Sequence, residues 1–240
     1  MSAKFSQPYQ PLLLRILHGL TGLSAIAAII TAFWTYNTYD GRWGTIPLPK
    51  FQEIEGIHGT FGLWTLLIFP LFVVYAFNQG QRRLIQSNTL NKLAQVGQPI
   101  WWYTLHRLVN TASILALTFA LFSGKMMSEK WLPQGELNHF WYSAHLVAWL
   151  ILVMAIALHV GGVPLVLSML HWRFRSQDSP ALWRQHLLPW RDPQASGANP
   201  LTTSLIRQWL SFPAPLKSLE IFVLIIIALA WIISLIKEIS

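Results

Sequence analysis

Cysteine is absent from all 240 residues, and charged residues make up only 11 % of them. Without cysteine there is no disulfide, no thiolate ligand, no iron–sulfur cluster and no covalent c-type haem attachment, which needs a Cys-x-x-Cys-His run. Any bound metal must therefore rest on histidine. An ordinary soluble domain carries about a quarter of its residues as Asp, Glu, Lys or Arg, so the scarcity of charge excludes that class. What is present agrees: 53 % of the chain is hydrophobic and the mean hydropathy is +0.42, the composition of an all-α integral membrane protein. The net charge of +8 does not point to nucleic acid, because the basic residues fall in the loops between apolar spans, where they set topology.

Five stretches reach the roughly 20 apolar residues needed to cross a hydrocarbon core of about 30 Å. They run from Leu12 to Tyr36, Ile57 to Phe77, Ile100 to Phe122, Phe140 to Leu165 and Leu219 to Ile236. The first is too long, and too poor in a small-residue cleavage site, for a removed signal peptide. With the N-terminus in the cytoplasm, Arg42, Lys50, Lys125, Lys130 and Lys237 fall outside, and the other twelve of the 17 Lys and Arg fall inside. The positive-inside rule is thus obeyed, with the C-terminus outside a bacterial-type energy-transducing inner membrane.

The chain divides into a four-span core (1–170), a cytoplasmic connection (171–215) and a fifth transmembrane helix (216–240). Six prolines in the connection, from Pro180 to Pro215, prevent long continuous helix there. Its tryptophans Trp172, Trp183, Trp190 and Trp209 alternate with arginine, a composition suited to membrane lipid headgroups or to a partner's surface. His171 and His186 in the same segment read as interfacial, as do the aromatic clusters near the span ends.

The fourth span holds His145 and His159, fourteen positions apart. On a helix they lie roughly 21 Å apart and within about 40° of one face. A lone histidine in a membrane helix is more often a hydrogen-bonded packing residue than a ligand. Two stacked on one face offer an axial position for iron near each surface. Depth supplies their partners. His18, early in the first span, shares the inner level with His159, and His58, at the start of the second, shares the outer level with His145. His18-Gly19-Leu20-Thr21-Gly22 and His58-Gly59-Thr60-Phe61-Gly62 repeat one context, in which glycine one turn from a ligand lets a flat macrocycle approach the backbone. Gly161 and Gly162 follow His159 in the same way. The expected architecture is a four-helix haem-binding bundle holding two haem b, with a fifth transmembrane helix. Arg15 and Arg107 at the inner level, and Arg42, Lys125 and Lys130 at the outer, are candidates to pair with propionates.

On these four histidines and their spacing, the region from about Pro11 to Leu170 resembles the membrane cytochrome b subunit of respiratory formate dehydrogenase and of nickel-iron hydrogenase. In that family the first and second spans give one ligand each and the fourth gives two. The fifth span departs from the four-span pattern of the formate dehydrogenase subunit. The resemblance implies two b haems carrying electrons between a partner redox subunit and a quinone bound near the inner haem, within a respiratory or photosynthetic-type oxidoreductase complex. His106, Arg107 and Asn110, polar and one turn apart at the start of the third span, are candidates for quinone or propionate contacts. Pro70 is expected to kink the second span. Two further readings stand beside this one: a stand-alone quinol oxidoreductase, and a haem-free histidine-lined metal transporter or sensor.

Overall fold

The computed structural model describes residues 12–162 and 214–239, in which all regular structure is helical. The elements are α1 (Leu12–Tyr39), α2 (Ile54–Gln79), a 3-10 turn (Gln81–Arg83), α3 (Thr89–Leu93), α4 (Pro99–Met126), α5 (Phe140–Ala157) and α6 (Ala214–Ile239). Five helical stretches are long and apolar enough to cross a membrane: Leu12–Tyr39, Ile54–Gln79, Ile100–Met126, Phe140–Gly162 and Pro215–Lys237. Several of their hydroxyls are satisfied within the helix itself. Thr65, Thr104, Thr111, Ser113 and Thr118 each donate to the carbonyl four residues back, which satisfies a polar group where no water is at hand.

Two antiparallel hairpins, α1 with α2 and α4 with α5, make the closest packing, and α6 lies against α4 and α2. The apolar core sits on that side, where Leu66, Phe69, Val73 and Phe77 of α2 meet Ile114 and Leu117 of α4 and Val223, Ile227 and Ala230 of α6. Polar contacts fasten α6 at both ends. Asn78 Nδ2 donates to Glu220 Oε1 at 3.5 Å, and Lys237 Nζ donates to Lys125 O at 2.6 Å and Met127 O at 2.5 Å. The ammonium group thereby caps the last carbonyls of α4, where the helix dipole favours a cation. The fifth span thus packs within the bundle. α2 is continuous through Pro70.

One local departure from the sequence reading bears on function. The fourth span is not uniformly α-helical: after Ala157 it passes into a π turn, Leu158–Gly162, that carries His159. The wider turn changes the rotation per residue, so the face of His159 is set by this turn and not by 100° steps from His145. Residues 163–213, with most of the expected cytoplasmic connection, its four tryptophans, His171 and His186, lie outside the described residues.

Candidate functional site

The two hairpins bring the histidines together in pairs. His18 of α1 and His159 of the π turn have ring centroids 6.0 Å apart, and so do His58 of α2 and His145 of α5. The pairs sit at opposite ends of the bundle, each joining the first hairpin to the fourth span.

The far nitrogen of three of these rings is already engaged, and the partners determine the tautomer. His58 Nδ1 donates to Ala28 O at 3.1 Å, with Thr31 Oγ1 at 3.3 Å. A carbonyl only accepts, so the proton is on Nδ1. His145 Nδ1 lies 3.1 Å from Ser123 Oγ, whose own hydrogen goes to Phe119 O at 2.6 Å; the hydroxyl accepts from the ring. His159 Nδ1 lies 2.8 Å from Asn110 Oδ1, and Asn110 Nδ2 donates to Arg83 O at 3.0 Å. The Arg83 carbonyl fixes the amide orientation, so the Asn110 oxygen must accept from His159. In all three rings the Nε2 lone pair is left for a metal. His18 is oriented by its edge contact with Phe72, at 5.6 Å, and by His159.

A b haem fits this arrangement on two counts. Two metal–imidazole bonds of about 2 Å and two ring radii of about 1.1 Å separate the centroids of axial imidazoles by about 6 Å, the spacing at both ends. Gly22 and Gly62, one helical turn from His18 and His58 and so on their faces, would place a Cβ with no heavy atom within 4 Å, a bare backbone against which a flat macrocycle can lie. Among the described residues no group of three or more His, Cys, Asp or Glu is placed to hold a metal ion, so each facing pair suits a metal that would bring most of its own donors.

Residues 9–179 match the family model of prokaryotic cytochrome b561. The chain belongs to the prokaryotic cytochrome b561 family. Members bind b-type haem, and this cytochrome is a multi-pass membrane protein of the b-type electron-transfer class. Comparison with curated proteins and with solved structures gives no match.

Several residues of the cytochrome take places that spacing does not reveal. Asn110 orients His159, and His106 stacks on the same ring, with centroids 5.4 Å apart and planes 12° from parallel. The Nδ1 of His106 is buried without a hydrogen-bond partner among the described residues. The cation whose charge acts on His18, His106 and His159 is Arg83, a residue the sequence reading used only for topology. Arg107 is half-buried beside His106, its carbonyl accepting from Thr111. Gly124 makes room for His145, since a Cβ there would lie 3.2 Å from the ring Cε1.

At the His58 end a polar cluster joins the hairpins. Asp40, its side chain 1 % exposed, accepts from Tyr142 Oη at 2.7 Å and from Arg42 Nε at 2.8 Å, while Arg42 Nη2 donates to Leu137 O at 3.1 Å. The hydrogen bond to Asp40 raises the Arg42 pKa above its ordinary value. Arg42, a propionate candidate from sequence, is committed to Asp40.

Proposed function

We propose that the chain carries electrons across the membrane through two b haems, one held by His58 and His145 and the other by His18 and His159. The observation that carries this reading is the pair of facing imidazoles at each end, with the Nδ1 positions of His58, His145 and His159 engaged elsewhere. When bound, b-type haem would supply one-electron chemistry at each histidine pair. The protein's part is to fix ligand orientation, exclude water and set the local charge.

The subunit relays electrons between a partner redox protein and the quinone pool, with the His18 end at the cytoplasmic face, as the distribution of Lys and Arg supports. His106 and Arg107 contact the quinone at that end. The buried, unpartnered Nδ1 of His106 supports this, since a quinone oxygen needs a hydrogen-bond partner that also exchanges a proton. Asn110 serves the site through His159.

A reduced-minus-oxidised absorption spectrum with haem quantification tests the core of the reading. Two b-type haems per chain are expected, and a spectrum without b-type bands would end it in favour of a haem-free transporter or sensor. Purification in mild detergent with stoichiometric redox subunits is expected; a chain that oxidises quinol alone would favour the stand-alone oxidoreductase. His106→Phe, which keeps a stacking ring but no nitrogen, should slow quinone reduction with both haem spectra intact. Unchanged kinetics would remove His106 from the quinone site.

A further inference from the structure

We infer that the connection between α2 and α4, residues 81–98, is a docking surface for anionic phospholipid headgroups in the leaflet at the His18 end. Its first half is held firmly. Leu84 is buried and Ile85 packs against the apolar core, where Ile85 N donates to Thr111 Oγ1 at 3.1 Å. Gln86 then closes the turn: its main-chain N donates to Thr89 Oγ1 at 2.8 Å, and its Nε2 to the Gln81 and Leu84 carbonyls at 2.9 and 3.1 Å. From the level of Thr111 the chain must still reach Pro99 at the start of α4, about 18 Å further along that helix, and α3 lies against α4 on the way. This path crosses the headgroup region. Trp101 and Trp102, half-buried on the first turn of α4 with rings 4.6 Å apart, are the side chains that favour that zone.

Two features together say what covers the segment. Leu90 is 80 % exposed and Val96 73 % exposed; a solvated loop gains nothing from either, whereas a segment lying in the headgroup layer seats them against acyl chains. Charge then selects the lipid. Residues 81–98 hold Arg82, Arg83 and Lys92 without a carboxylate, and no Asp or Glu occurs anywhere between Glu55 and Glu129. Neither Arg82 nor Lys92 makes an ion pair among the described residues. The loops at the other end, 40–53 and 127–139, mix the signs, with Asp40, Glu53, Glu129 and Glu136 against three cations. Exposed apolar side chains beside cations with no acid between them match a surface that is negative outside and apolar beneath. The same segment carries the Arg83 carbonyl that fixes the Asn110 amide beside His159. Lipid contact and the orientation of His159 thus belong to one piece of backbone.

Because the chain has no cysteine, Leu90→Cys gives the full-length protein a single thiol at which a fluorophore reports its surroundings. In vesicles of mixed phosphatidylcholine and phosphatidylglycerol the label should be quenched by a lipid-borne nitroxide and protected from acrylamide in the water. Adding Arg82→Gln and Lys92→Gln should lower the ratio of lipid-borne to aqueous quenching by about 25-fold, or about fivefold for each cation removed. Vesicles of phosphatidylcholine alone should lower it in the same direction with Arg82 and Lys92 intact. A label open to acrylamide in the anionic vesicles overturns the inference, as does one that neither quencher reaches, because protein would then cover the surface. Equal quenching in both lipids, or with and without the two cations, overturns it as well, since the contact would be apolar only.

Discussion

The two ends of the bundle carry the same pair of facing imidazoles in different surroundings. At the His58 end the rings are held by a main-chain carbonyl and the Ser123 hydroxyl, and the one buried carboxylate, Asp40, is matched by Arg42 and Tyr142. At the His18 end His159 is held by a side-chain amide and a third histidine stacks on it. An electron can pass through the first environment without any protein group changing its protonation. The second adds a third imidazole nitrogen able to exchange protons, which proton-coupled chemistry uses and simple relay does not.

The comparison is broken most completely by removing a ligand. His145→Ala and His159→Ala should each abolish one haem and spare the other, so each loses a different half of the b-type absorbance. If either variant lost both haems, or neither, the ends would not be separate sites. The orienting groups come next. Ser123→Ala should weaken haem retention at the His58 end, and Asn110→Leu at the His18 end, each by about 10- to 100-fold, the usual cost of losing a ligand's outer partner. Haem release measured in the two variants would sharpen the contrast, and identical release from both ends in both would remove it. The smallest effect belongs to the cluster around Asp40. Tyr142→Phe removes one buried hydrogen bond and should cost about 1–3 kcal/mol through the carboxylate left short of a donor. Thermal unfolding should report that loss, with the His18-end spectrum unmoved. An unchanged melting point would show that the cluster does not hold the hairpins together.

Much of this organisation is already written in residue types. Length and hydropathy locate five spans, because about 20 apolar residues have few alternatives to crossing a bilayer. Depth along those spans pairs His18 with His159 and His58 with His145, and the rings of each pair do come within 6.0 Å. The supporting groups are another matter. Ser123 and Thr31 look like any membrane serine or threonine, whose default partner is a carbonyl three or four residues back; both make that bond as well as serving a histidine. Asn110 was visible as a polar residue near the surface, but its two partners come from α5's extension and from the segment after α2, and no spacing within one helix encodes such contacts. Arg83 reads as topology because the rule that counts loop charges does not know which loop folds back. The π turn at Leu158–Gly162 follows a run of apolar residues indistinguishable from ordinary helix, and only the packing of its side chains separates the two forms.

The place of α6 in the bundle has a bearing on how the protein is made. It packs against both α2 and α4 and caps α4 through Lys237, yet it is the last of these helices to leave the ribosome. The two earlier hairpins can enter the bilayer as separate insertion units, and the seam between α2 and α4 acquires its third wall only when the final helix arrives. During that interval the paired histidines stand on hairpins not yet clamped by α6. A rigid macrocycle of the b-haem type would be admitted most easily in that interval, while the hairpins can still part.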